Sequence, residues 1–131
     1  MWALTDLTGG ISIQTKLNWN DPNKDELFRF LYDNQKDIIV TSAIYEKTNE
    51  IRQKGLHGGH GYSLVKLAYV ETSDGGRVRL LQLRNPWGND EFNGDWSDRS
   101  AKWDLVDRKL LIKMLLLSVK SFSRAIITYD S

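Results

Sequence analysis

The chain contains no cysteine and only two prolines in 131 residues. Without cysteine there is no disulfide, no thiolate metal site and no thiol nucleophile in this sequence, and the absence favours an intracellular, cytoplasmic origin. An excess of either charge is also missing: 18 Lys and Arg stand against 17 Asp and Glu, a formal net charge of +1. Interspersed and balanced, these charges lack the basic stripe that a phosphate backbone demands, so no nucleic-acid partner is expected. The opening MWALTDLTGG has neither the basic start nor the apolar stretch of a secretory signal. The most apolar run, residues 110–119, is interrupted by Lys113 and too short to span a bilayer, so no transmembrane segment is expected.

What is present suits one globular domain, with 40% hydrophobic and 27% charged residues. In GGISIQTKL, residues 9–17, Ile11, Ile13 and Thr15 alternate as in a half-buried strand. A helix follows in NDPNKDELFRFLYDNQ, with Asp21 at its N-cap, Pro22 in the first turn and Asp25 and Glu26 at the positive end of the dipole. Leu27, Phe30 and Leu31 share a face of that helix and are expected to pack inward. Residues 38–44, IIVTSAI, predict a central strand, and 45–55 a loop or short helix. Strands are expected at 60–70 and 77–85 around the turn ETSDGG, forming an antiparallel hairpin. An acidic loop rich in Trp and Gly then leads to a helix over 104–119 and a last strand in SRAIITY. The fold class is α+β, a mainly antiparallel, barrel-like sheet with a few helices.

Two short stretches hold the candidate chemistry. GLHGGHGYS, residues 55–63, carries both histidines, His57 and His60, among four glycines. Their spacing would suit a metal pair on a helix, but the glycines argue against a helix and no further Cys or His supplies a third ligand. RNPWG, residues 84–88, closes the second hairpin strand, and its Asn-Pro is an ordinary turn signal when taken alone. Trp87, Trp96, Trp103 and Phe92 crowd the following loop, either as a plug over one end of the sheet or as a platform for a sugar or peptide. Together the two stretches say more. A His at the start of one hairpin strand and an Asn at the end of the next can face each other, and thiol catalysis pairs a His with a group that fixes its tautomer. The nucleophile of such a Cys–His–Asn set is absent from the sequence.

GLHGGHGYSLVKLAYV followed by LLQLRNPWGNDEFNGDWSDRSAKW strongly resembles the calpains, calcium-dependent papain-like cysteine proteases, in the second half of their protease core. DLTGGIS resembles the junction with the first half. The resemblance implies that the chain is one domain, the His/Asn-bearing half of a papain-like core. It implies that His60 is the catalytic base, Asn85 its orienting partner and Trp87 a gating residue beside the cleft. It further implies that Glu91 and Asp98 belong to a calcium-binding loop. The expected partners are the Cys-bearing first protease subdomain, which supplies the nucleophile and an oxyanion-hole Gln, and protein substrates. The isolated chain is then expected to be inactive. Beyond Trp103 the sequence departs from the family pattern. The alternatives are a non-catalytic calpain-like module that binds protein or regulates, and a carbohydrate-binding module built on the Trp loop.

The hairpin register tests this geometrically. For His60 and Asn85 to meet, the turn is expected to centre between Thr72 and Ser73. A tight turn at Asp74-Gly75 would instead set Leu64 opposite Asn85 and leave His60 roughly 13 Å away along the strand. A catalytic pair therefore requires a wider loop, a β-bulge in the 60–70 strand, or a bend that carries Asn85 back.

Overall fold

Two apolar-alternating runs separated by a Gly-rich turn pair into a long hairpin, and the rest of the chain packs around it. The structure is a computed structural model and describes residues 2–16, 20–85, 91–107, 109 and 124–128. Helix α1 (Trp2–Thr8) is followed by α2 (Lys24–Asn34), β1 (Thr41–Ile44) and α3 (Asn49–Gln53). Then come β2 (His60–Glu71), β3 (Arg77–Arg84), a 3₁₀ turn (Ala101–Leu105) and β4 (Arg124–Thr128). The strands form one sheet in the order β1-β2-β3-β4, and every neighbouring pair is antiparallel. Among the described residues no helix is long and apolar enough to cross a membrane.

The sheet buries both faces of the hairpin. On one face Leu67, Tyr69 and Leu81 pack with Phe28 and Leu31 of α2. On the other, Val70 and Leu80 pack with Trp96, Trp103 and Val106 from the loop and the 3₁₀ turn. Trp96 takes a positive φ of 68° to reach this core, where its ring meets that of Trp103 edge-on at 5.0 Å. The aromatic loop is thus a plug over the sheet face. Its position is tied at the hairpin tip, where the Ser73 N–H donates to the Leu105 carbonyl at 2.8 Å.

Helix α2 begins later than the sequence suggests. Asp21 accepts the Asn23 N–H on its carboxylate at 2.8 Å, which makes a turn before the helix rather than its cap, and Asn23 occupies the cap position. The buried stripe also differs from the expected one. Phe28 is fully buried, whereas Phe30 is 54% exposed. Phe28 stands edge-on to Tyr69 at 5.1 Å, and seven residues along, the Gln35 side chain accepts the Leu67 N–H at 3.0 Å. That seven-residue spacing returns to the same helix face, and it carries Phe30 round to solvent. Arg79 of β3 locks the start of the helix with a 2.6 Å ion pair to Asp25. The hydrogen bond from Arg79, and then its charge, hold the Asp25 carboxyl below its ordinary range.

Two expected strands change. Residues 9–16 are irregular, with Ile11 95% and Ile13 86% exposed; Leu17 lies outside the described residues. Alternation supplies only a strand's side-chain pattern, and this segment instead folds back against α1 through a bond between the Thr5 and Ser12 hydroxyls. Residues 38–44 give a short strand at the edge of the described sheet rather than its centre, because β1 pairs with β2 alone and its residues alternate exposed and half-buried. Of the helix expected over 104–119, residues 104 and 105 belong to the 3₁₀ turn; residues 108 and 110–119 lie outside the described residues. Short helix α3, the hairpin and the last strand stand where expected.

If Phe28 rather than Phe30 carries the helix–sheet contact, Phe28→Ala should cost about 3–5 kcal/mol of stability. Phe30→Ala should stay within about 0.5 kcal/mol in the same urea-unfolding experiment.

Candidate functional site

His60 is the first residue of β2, held there by a turn that only glycine permits. Gly59 has φ +76°, and its N–H donates to the Ile44 carbonyl at 2.6 Å, which docks the turn onto the end of β1. At Gly58 a Cβ would strike the Glu46 carbonyl, falling 2.7 Å from its carbon. Gly61, by contrast, faces open space. Two of the three glycines around His60, Gly58 and Gly59, are thus required by the turn.

Asn85 follows the last residue of β3. The hairpin turn centres on Asp74, with Glu71 opposite Arg77, and its tip is closed by the Thr72 N–H donating to the Gly76 carbonyl at 2.9 Å. From there to Lys66↔Gln82 the register is regular, and then β2 inserts one extra residue, so that Leu64 pairs with Leu83 and Ser63 with Arg84. Val65 is the bulged residue. Continued by one position, this register sets Tyr62 level with Asn85. His60 is therefore the diagonal neighbour of Asn85 and not its direct partner, which corrects the expected turn centre. A diagonal pair on one face is within reach of long or aromatic side chains.

The two side chains meet. His60 Nε2 lies 3.0 Å from Asn85 Oδ1, and the residues are 7% and 3% exposed. An amide oxygen only accepts, so Nε2 carries the proton in this bond and Nδ1 holds the lone pair of the neutral ring. The amide adds no charge of its own. An imidazole fixed in this way can take a proton at Nδ1 and return it while the Nε2–H bond stays in place.

Two neighbours complete the immediate surroundings. Tyr62, two residues along β2, sets its ring edge-on to the imidazole at 4.9 Å and is 2% exposed. His57 stays in the loop, as expected, yet it is half-buried, its ring is 6.2 Å from that of His60, and its backbone N–H donates to the Tyr62 hydroxyl at 2.8 Å. Tyr62 is the residue that the sequence reading overlooked. Its signal was the period of two along a strand that begins with His60.

The remaining expected site residues are Trp87, Glu91 and Asp98. Trp87 lies outside the described residues. Glu91 and Asp98 are both exposed, on a loop whose start is pinned to the end of α3 by the Asn93 side-chain amide donating to the Gln53 carbonyl at 2.7 Å. Carboxylates suit a hard cation such as Ca²⁺, which takes six to eight oxygens. Among the described residues, however, no three His, Cys, Asp or Glu side chains gather as a metal-sized group. Glu91 and Asp98 alone do not make a preformed calcium cage.

Comparison with known proteins points in one direction. A family model described as calpain family cysteine protease matches residues 1–122. Calpain-12 of Mus musculus is 36% identical over 108 residues, covering 79% of this chain and 14% of that protein. Calpain-14 of Homo sapiens is 34% identical over 122 residues, covering 86% of this chain and 16% of that protein. The Calpain-1 catalytic subunit of Rattus norvegicus is 33% identical over 125 residues, with the same two coverages, 86% and 16%. The chain thus spans about one-sixth or less of the length of these relatives.

The contrast between Gly58 and Gly61 gives a paired prediction. Gly58→Ala should displace the turn and weaken the His60–Asn85 contact, whereas Gly61→Ala, with open space for its methyl group, should leave both stability and the contact unchanged. Thermal unfolding and the chemical shifts of the His60 ring report the two effects.

Proposed function

The chain belongs to the calpain family of cysteine proteases, and on that premise we propose that it is the second half of a protease core, supplying the acid–base pair of a Cys–His–Asn site. The observation that carries this reading is the buried 3.0 Å contact between His60 Nε2 and Asn85 Oδ1. The nucleophile is a cysteine on a separate, first subdomain, since this chain has none. The substrate is a polypeptide, and the setting is cytoplasmic.

In the assembled site His60 Nδ1 accepts the thiol proton, and the resulting thiolate and imidazolium form a pair. Asn85 accepts from Nε2–H throughout, holding the ring in the tautomer whose basic nitrogen faces the sulfur. The thiolate attacks the scissile carbonyl carbon, and the carbon–nitrogen bond breaks as Nδ1–H delivers its proton to the leaving amine. Water then replaces the amine. Nδ1 takes a proton from it as the oxygen attacks the thioester, the carbon–sulfur bond breaks to release the carboxylic acid, and the proton returns to sulfur. Each step needs the imidazole both charged and neutral, which a neutral orienting amide allows. Trp87 is proposed to sit beside the cleft as a gate. The calpain relatives also motivate a calcium-responsive loop that includes Glu91 and Asp98, and no step above passes through that ion.

The purified chain alone should not cleave casein. Joined to a Cys-bearing first subdomain of a calpain relative it should do so, and His60→Ala should remove roughly 10²–10⁴-fold of that rate, the usual weight of a general acid–base. Cleavage by the chain alone, or by the joined protein with His60→Ala at full rate, would overturn the proposal.

For calcium, these two exposed carboxylates should bind only at roughly millimolar dissociation constants, the weak end for protein sites. Calorimetry should show this binding weakened by Glu91→Ala and by Asp98→Ala. Tight binding that survives both substitutions would place the ion elsewhere.

A further inference from the structure

Tyr62 makes two contacts of different kinds from one rigid, buried side chain. Its ring meets the His60 imidazole at 4.9 Å with an interplanar angle of 83°, an attractive and directional edge-to-face arrangement. At its far end the hydroxyl oxygen accepts the His57 N–H at 2.8 Å. The ring therefore bears on the imidazole, while the oxygen holds the turn that delivers His60 to its strand.

Packing explains the ring but not the hydroxyl. Tyr62 shares a cluster with Leu83, Leu64, Ile44, Leu56 and Phe92, all apolar, and a phenylalanine would fill the same space. A phenol oxygen placed there has a desolvation cost unless it is bonded. The His57 N–H meets that need, and it is the one backbone group in the bond whose movement would carry Gly58, Gly59 and His60 with it.

We infer that Tyr62 is a positioning residue for His60, coupling the orientation of the imidazole to the 57–59 turn. The inference rests on the reading of His60 as the acid–base group. Asn85 fixes the ring at Nε2 but leaves rotation about that bond, and the Tyr62 ring opposes it. The turn sets where the Cα starts, and the hydroxyl keeps the turn in register with the ring. Nδ1 is held toward one point in space, which proton transfer to an incoming sulfur requires, since small misplacements of a reacting group are costly.

The test follows two protons by NMR in the full chain: the His57 backbone N–H and the His60 ring Nε2–H, each through its exchange rate with water. Tyr62→Phe keeps the ring and removes only the hydroxyl. Both exchange rates should rise together, by roughly fivefold, the equilibrium weight of one ordinary hydrogen bond. Leu83→Ala, in the same cluster but in neither contact, serves as the control for general loosening and should leave the Nε2–H rate near wild type. If Tyr62→Phe raises the His57 rate alone, or neither rate, or matches Leu83→Ala at both protons, Tyr62 is a core residue only and the inference fails. Asn85→Ala separates this from the underlying reading. An unchanged Nε2–H rate in that variant would refute the His60–Asn85 pair itself, whatever Tyr62 does.

Discussion

A strand presents its side chains to alternate faces, so two residues on paired strands share a face only if the register gives them the right parity. The register at the tip of the hairpin, with Glu71 opposite Arg77, would set Asn85 level with Ser63 and turn it away from the face that His60 occupies. One additional residue in β2, Val65, changes that parity. Beyond the bulge Asn85 is level with Tyr62, and His60, Tyr62 and Asn85 all face the same way. The 3.0 Å contact at the dyad, the ring packing of Tyr62 and the burial of all three depend on that insertion.

The bulge also reconciles two demands on one strand. The tip half of β2 must pack Leu67 and Tyr69 under α2, while its other half must present His60, Tyr62 and Leu64 on that same side. On that side the residues are even-numbered before Val65 and odd-numbered after it. Val65 itself, 51% exposed, is where the phase changes. A bulge of this kind is a common way to re-aim a side chain beside a functional site. The turn at Gly58 and Gly59 then delivers His60 to the first position of β2, level with Ile44 of β1. Gly59 takes the positive φ of that turn and Gly58 leaves room for the Glu46 carbonyl, which gives the glycine-rich segment its role.

Much of this was legible in the sequence, and the failures have physical reasons. The hairpin, α2 and the last strand announced themselves through periodicity and turn residues, α3 was one of two readings of its polar segment, and the GH-x-YS and RNPWG stretches pointed to His60 and Asn85. The need for a bulge or wider loop was also readable, because strand spacing forbids a tight-turn hairpin from joining the two residues. Its position was written in the switch from His60, Tyr62 and Leu64 to Leu67 and Tyr69. What sequence could not supply was partnership. Ile11 and Ile13 alternate like a strand but pair with none of the described strands, and IIVTSAI reads as central although β1 pairs with β2 alone in the described sheet. The inward face of α2 was decided by Tyr69 and Leu67 across the interface, not by the helix's own periodicity, and so Phe28 took the place expected for Phe30.

The central claim is that one inserted residue creates the dyad, and deletion of Val65 tests it most directly. Cross-strand nuclear Overhauser contacts identify whether the shortened hairpin has become regular, and the His60 Nε2–H signal reports the contact with Asn85. The account predicts a slowly exchanging Nε2–H in the intact chain. In the deletion variant it predicts a regular hairpin in which that signal is lost to rapid exchange. A regular, bulge-free hairpin that still protects the His60 Nε2–H against Asn85 would contradict it.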